Sequence, residues 1–131
     1  MLILLQSVLS RYHRIAAVIL AATIVAGLFL LGAQPIAVNL IPSPWDKVAH
    51  GALFALLAWG IGIASGVRGR RQILIAATSA VFVGMLDEWN QVHLPGRQAG
   101  LDDFAADVIG SIAGAVLPTV IARWKIYLPI K

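Results

Sequence analysis

Residues 15–33 read IAAVILAATIVAGLFLLGA, a run of 19 residues without a charged side chain. This length is close to the roughly 20 apolar residues that an α-helix needs to cross a bilayer. Comparable stretches follow at residues 48–67, at residues 73–86 and at residues 104–122, the last interrupted only by Asp107. The pattern indicates a chain that crosses a membrane several times.

The composition supports this interpretation. The chain is 60% hydrophobic and 12% charged, with a mean hydropathy of +0.86, whereas soluble domains are about 45–50% apolar. We therefore predict an all-α polytopic membrane protein, a four-helix transmembrane bundle that forms a single domain over residues 1–131. The predicted spans are approximately residues 15–34, 47–67, 73–92 and 103–122.

Several kinds of chemistry are excluded by what the sequence lacks. It has no cysteine, so disulfides, thiolate catalysis and cysteine metal sites are excluded. It has no H-E-x-x-H pair, no phosphate-binding glycine loop and no Gly-x-Ser-x-Gly elbow. We predict neither a metal ion nor a cofactor. The first stretch also exceeds the 7–15 apolar residues of a secretory signal, so we expect it to remain as a span.

The basic residues are divided unequally between the two ends of the predicted spans. Lys47 and Arg97 lie at one end, and the other eight lie at the opposite end: Arg11, Arg14, Arg68, Arg70, Arg71, Arg123, Lys125 and Lys131. By the positive-inside rule, both termini and the connection at residues 67–72 are cytoplasmic. All six acids then lie on the outer side. The high pI thus reflects topology, and we predict membrane lipids, and no nucleic acid, as partners.

Two helix starts are indicated by capping residues. In the segment Ser43-Pro44-Trp45-Asp46, a serine N-cap, a proline at the first helical position and an acid at the third predict that the second span begins near Ser43. Asp102 or Asp103 is predicted to cap the fourth span in the same way.

The other segments outside the spans are interpreted more simply. Pro95-Gly96 predicts a turn after the third span. Met1–Leu9 is apolar but too short for a fifth span, so we expect an interfacial helix or a disordered tail there.

Polar residues form a stripe on each of the last three spans. At 100° per residue, each set below falls on one face of its helix, within about two turns of the predicted outer end. Charge at membrane depth is costly unless it is paired, so we expect the stripes to converge on one polar cavity, with two glycines allowing close helix approach. The stripes are Asp46, His50 and Leu57; Gly84, Asp87, Glu88 and Gln91; and Asp103, Asp107, Gly110 and Gly114.

Two interpretations of the acidic pair Asp87 and Glu88 remain open. Salt bridges to Arg97 or Lys47 would tie the outer helix ends together, because buried acids and bases pair readily. Alternatively, the same acids serve a reaction in the cavity.

The spacing of these polar residues resembles the VanZ-like family of small bacterial membrane proteins. The resemblance covers positions 46–114 and is carried by Asp46-Lys47-xx-His50-xxx-Phe54, Asp87-Glu88-xx-Gln91, Pro95-Gly96-Arg97, Asp103, Gly110 and Gly114. The family pattern often has a small hydroxyl residue where Gly100 stands and an asparagine where Asp107 stands. The resemblance implies a compact helical protein of the bacterial cytoplasmic (inner) membrane. Its founding member is associated with low-level resistance to the glycopeptide teicoplanin.

The expected function is an outward-facing polar site that binds or processes an anionic or lipid-linked component of the cell envelope. In the enzymatic version, Glu88 or Asp87 acts as general base with His50 as its proton partner, while Arg97 and Lys47 hold a phosphate or carboxylate. The further substrate-binding candidates are Gln91, Asp46, Asp103 and Asp107. The rival expectation is a non-enzymatic scaffold or partner protein in which these charges form a structural network.

We predict that the two kinds of connection differ in accessibility from outside the cell. A cysteine introduced at Gln98 should react rapidly with a membrane-impermeant maleimide, whereas a cysteine at Gly69 should react only after the membrane is permeabilised. Equal reaction at both positions in intact cells would contradict the predicted topology.

Overall fold

The structure is a computed structural model that describes residues 2–38, 40–97 and 99–127. Over these residues it contains four α-helices: α1 (Leu2–Ala26), α2 (Trp45–Ser65), α3 (Arg70–Val92) and α4 (Leu101–Tyr127). A π-helical turn, Gly27–Leu31, continues α1, and a 3-10 turn, Pro35–Ala37, precedes α2. Each α-helix contributes a segment long and apolar enough to cross a membrane. The predicted all-α, four-helix fold is confirmed. Gln98 and Lys131 lie outside the described residues.

The first helix begins earlier than predicted. α1 is helical from Leu2, so the predicted alternative of a disordered tail is wrong for residues 2–9, which are helical. The reason is local, because no glycine or proline occurs before Gly27 to end the helix. α3 likewise begins at Arg70, directly after Gly69, whose φ of 68° lies in the left-handed region that favours glycine.

The predicted N-cap of α2 is wrong. α2 begins at Trp45, and Pro44 precedes it with φ −91° and ψ 6°, outside the helical conformation expected of a first helical residue. The backbone amides of Trp45 and Asp46 donate to the carbonyl oxygen of Pro42, at 2.9 and 3.4 Å. A backbone carbonyl therefore takes the place predicted for the Ser43 hydroxyl.

The predicted cap of α4 is also wrong. The helix begins at Leu101, and the amide of Phe104 donates to the carbonyl of Gly100 at 3.0 Å. Asp102 and Asp103 thus lie inside the first turn instead of preceding it. Their carboxylates form ion pairs with a lysine of α2, because an ammonium is a stronger partner for a carboxylate than a backbone amide is.

α2 is the central helix of the bundle and packs against the other three. Its most extensive contact is with α4. The two helices run in the same direction, since Gly51 faces Gly110 and Ala55 faces Gly114. At this contact a Cβ on Gly110 would collide with the carbonyl oxygen of Gly51, and a Cβ on Gly114 would collide with that of Ala55. The two glycines therefore let the backbones of α2 and α4 touch over two turns, as their spacing predicted.

The distribution of polarity is the reverse of that in a soluble protein. The largest fully buried side chains of the described residues are Phe54, Leu57, Asp107 and Ser111. The outer surface instead exposes large apolar side chains, including Leu101 at 89%. This arrangement suits a hydrocarbon surrounding, in which apolar groups need not be buried and polar groups must be paired inside the protein.

The helix contact predicts the effect of adding one methyl group. Gly114→Ala should lower the unfolding free energy by roughly 1–3 kcal/mol, because the backbones of α2 and α4 must separate to accommodate the new Cβ. Thermal unfolding in detergent measures this. Gly27→Ala is the matched control, since a Cβ there meets nothing within 4 Å. Equal unfolding temperatures for the two variants would contradict the packing.

Candidate functional site

The charged residues gather at one end of the bundle. There α2 and α4 begin and α3 ends, so Asp46, Asp102 and Asp103 lie in first turns while Asp87 and Glu88 lie in the last turns of α3. We call this the acidic end. Because α2 and α4 run side by side in the same direction, equivalent turns of the two helices face each other.

Lys47 is surrounded by three carboxylates. Its Nζ atom lies 2.9 Å from Asp46 Oδ2, 2.9 Å from Asp103 Oδ1 and 3.0 Å from Asp102 Oδ2. An ammonium group has three donors, and each has a carboxylate within reach. Lys47 therefore joins α2 to α4 and has no donor left for the substrate-binding role expected of it.

His50 and Asp107 form a second pair one turn further into the membrane. His50 Nδ1 lies 2.9 Å from Asp107 Oδ1, and the Asp107 side chain is completely buried. A Cβ on Gly84 would lie 3.1 Å from Asp107 Oδ2, so α3 closes over the carboxylate. The ring of Phe54 stacks near that of His50, with centroids 6.5 Å apart and planes 10° apart. The imidazole is held on two sides.

This pair has a defined chemical consequence. A carboxylate at Nδ1 favours the tautomer whose proton lies on Nδ1, which leaves Nε2 as a hydrogen-bond acceptor. The same relation orients the general base in carboxylate–histidine catalytic pairs. The expected proton partner of His50 was Glu88 or Asp87, but the residue that contacts it is Asp107.

Asp87 is engaged within its own helix. Its Oδ2 accepts a hydrogen bond from Gln91 Nε2 at 2.8 Å, and both side chains are buried. Among the described residues, no salt bridge joins Asp87 or Glu88 to Arg97 or Lys47. The predicted salt bridges from Asp87 or Glu88 to Arg97 or Lys47 are therefore not formed in the described part of the chain.

Glu88 contacts the connection between α3 and α4. Its Oε2 atom accepts a hydrogen bond from the amide of Gly100 at 2.9 Å, directly before α4 begins. The side chain lines a mostly apolar groove of about 340 Å³ that includes Trp89 and Phe104. Glu88 thus positions the start of α4 and lies outside the polar cavity described next.

A cavity of about 540 Å³ opens at the acidic end between the two connections and the ends of α2 and α3. Such a volume lies in the range of small-molecule sites. Apolar residues such as Leu40 and Leu53 form part of its wall. The polar and charged lining residues are Asp46, His50, Gln91, Arg97 and Asp103. Five of the nine expected site residues therefore line the cavity. The four that do not are Asp87, Glu88, Lys47 and Asp107.

Arg97 is a basic residue of the cavity wall. It has no carboxylate partner among the described residues. Its Nη2 donates to the carbonyl oxygen of Gly32 at 2.7 Å, which ties the α3–α4 connection to the end of the π-helical turn. Its Nε is buried and has no hydrogen-bond partner in the described part of the chain. The cavity therefore contains a guanidinium that forms no ion pair with a carboxylate of the described residues.

Sequence reasoning missed two contributors to this region. Ser111 is fully buried one turn below Asp107, and its position eight residues after Asp103 on the same face is a signal that could have identified it. The carbonyl of Gly32 could not have been found, because any residue carries one. No group of three His, Asp or Glu side chains suited to a metal ion occurs in the residues described.

No family model, no curated protein and no solved structure matches the chain.

The lysine cluster predicts a structural effect. Lys47→Met should lower the unfolding temperature, because it leaves three neighbouring carboxylates without a counter-charge. The loss should shrink at high salt, since Asp102 is 64% exposed and its interactions are screened. Thermal unfolding at low and high salt tests this, with Arg68→Met at the exposed α2–α3 connection as control. An unchanged unfolding temperature for Lys47→Met would contradict the structural role.

Proposed function

We propose that this chain is a VanZ-like multi-pass protein of the bacterial cytoplasmic membrane whose cavity binds the anionic group of a cell-envelope component. The single observation that carries the proposal is Arg97. It lines the cavity and has no carboxylate partner in the described residues, while Lys47 is occupied by three.

The chemistry of Arg97 suits a phosphate or carboxylate. A guanidinium presents a planar set of donors that matches two oxygens of such a group, and it remains charged at any physiological pH. Partial removal from water strengthens the attraction, because the effective dielectric constant is lower than in bulk water. Membrane surroundings make a lipid or lipid-linked molecule the natural source of that group.

The distribution of charge supports an outward orientation of the cavity. Arg68 lies in the α2–α3 connection, and Arg70 and Arg71 follow it at the start of α3, at the end opposite the acidic end. By the positive-inside rule that end is cytoplasmic. The acidic end then opens to the outer face, where envelope components are assembled. The family resemblance adds an association with resistance to the glycopeptide teicoplanin.

Processing of the bound molecule, if it accompanies binding, falls to His50. The Asp107 carboxylate holds its Nδ1 side, and His50 lines the cavity that contains Arg97. A proton acceptor and an anion anchor in one cavity are the elements of general-base chemistry on an anionic substrate. Glu88, bound to the Gly100 amide, serves this role less well than the His50 and Asp107 pair.

A second candidate is a non-enzymatic scaffold. The observation that favours it is the density of interhelical polar links at the acidic end, where Lys47 joins α2 to α4 and Glu88 joins α3 to the Gly100 amide. In this version the charged side chains stabilise the helix arrangement, and a partner protein binds the resulting surface. Arg97, which ties Gly32 to the α3–α4 connection, would then be one more link.

The proposal predicts that Arg97 controls retention of anionic lipid. Purified protein in phosphatidylcholine nanodiscs doped with phosphatidylglycerol should retain the anionic lipid, and Arg97→Gln should weaken retention by roughly tenfold or more, as expected for loss of a charge-assisted hydrogen bond. Native mass spectrometry of bound lipids measures this. Arg68→Gln, with the same charge change at the opposite end, should retain wild-type binding.

The same variants separate the two candidates. Loss of lipid retention with an unchanged unfolding temperature supports the binding site. If Arg97→Gln lowers the unfolding temperature and leaves lipid retention intact, the guanidinium is a structural link and the scaffold is correct.

A further inference from the structure

Two residues that line the cavity each have one buried polar atom without a hydrogen-bond partner in the described chain. One is Arg97 Nε, a donor, and the other is Asp46 Oδ1, an acceptor. The remaining groups of both side chains are engaged, since Arg97 Nη2 donates to Gly32 and Asp46 Oδ2 pairs with Lys47. A buried polar atom without a partner is costly, so a ligand that supplies both missing partners gains affinity from each.

The charge around the cavity is negative overall. Asp46, Asp102 and Asp103 share the single ammonium of Lys47, which leaves this cluster with an excess of two negative charges. Arg97 offsets one of them. A ligand that carries only negative charge would be attracted by Arg97 and repelled by these carboxylates. A ligand with a positive group beside its anionic group avoids this repulsion.

We infer, resting on the proposed function, that the ligand is zwitterionic: its phosphate or carboxylate binds Arg97 and its primary ammonium binds Asp46. The ammonium must carry N–H donors, because Asp46 Oδ1 lacks a hydrogen-bond donor and a quaternary ammonium has none to give. The cavity of about 540 Å³ accommodates such a head group. Leu40, Ile41 and Leu53 on its wall contact the first carbons of an attached chain.

Access to the cavity explains why Asp46, and not Asp102, binds the ammonium of the ligand. Asp46 and Asp102 both pair with Lys47 Nζ, at 2.9 and 3.0 Å. Asp46 lines the cavity, whereas Asp102 is 64% exposed and does not. The two acids therefore form a matched pair of positions, alike in their contact with Lys47 and different in their access to the ligand.

The experiment compares three lipids in one host membrane. Protein in phosphatidylcholine nanodiscs is supplied with equal amounts of phosphatidylethanolamine, which has a primary ammonium, or phosphatidylglycerol, which has none. Native mass spectrometry then reports the bound lipid. We expect phosphatidylethanolamine to be retained about tenfold over phosphatidylglycerol, and phosphatidylglycerol to be retained over phosphatidylcholine in turn. Asp46→Asn should abolish this preference, and Asp102→Asn should keep it.

The possible results separate this inference from the proposed function. If phosphatidylglycerol binds as well as phosphatidylethanolamine, and Asp46→Asn changes neither, the zwitterionic ligand is wrong while anion binding stands. If phosphatidylethanolamine binding survives Arg97→Gln, the ligand is held as a cation alone and both proposals are wrong. If neither lipid is enriched over phosphatidylcholine, the zwitterionic ligand and the proposed anion site are both wrong.

A soluble competitor identifies the source of the head group. Glycerophosphoethanolamine has the same charged groups without acyl chains. If it displaces phosphatidylethanolamine at a similar concentration, the head-group chemistry is supported and the source is a soluble envelope component. Displacement only at much higher concentration supports a membrane lipid.

Discussion

The backbone contact between α2 and α4 at Gly110 and Gly114 determines how the polar groups of these two helices meet at the acidic end. Because no Cβ separates the helices there, their axes stay close and their turns stay aligned. Lys47 then meets the carboxylate of Asp103, and one turn deeper His50 meets Asp107. A wider helix separation would leave these charges in hydrocarbon without partners, at high free-energy cost.

The membrane environment also explains why the interior of this bundle is polar. In a bilayer, burying leucine inside the protein gains little, whereas an unpaired carboxylate facing lipid is costly. The fully buried positions therefore include Asp107 and Ser111, while Leu101 remains on the surface. Small residues such as Ala76 and Ala80 are also fully buried in the core, and dispersion contacts supply the packing energy.

The two cations at the acidic end, Lys47 and Arg97, have different surroundings. Lys47 is held by three carboxylates of two helices. Arg97 faces the cavity and is held by one backbone carbonyl. A cation that the protein neutralises stabilises the fold, whereas one that it leaves without a counter-charge is available to an anion. Sequence patterns treat these two residues alike, since each is a single basic residue near the outer end of a span.

The sequence by itself determined the helices and their polar faces, because hydropathy and the 3.6-residue period act over neighbouring residues. It also indicated the close approach at Gly110 and Gly114. Only the tertiary structure decided the partners: Lys47 meets Asp103 across 56 residues, and His50 meets Asp107 across 57. The same reason explains the wrong cap of α4, since the ammonium of Lys47 competes for Asp102 and Asp103. Ion pairs between distant residues depend on helix separation and register, which no local pattern encodes.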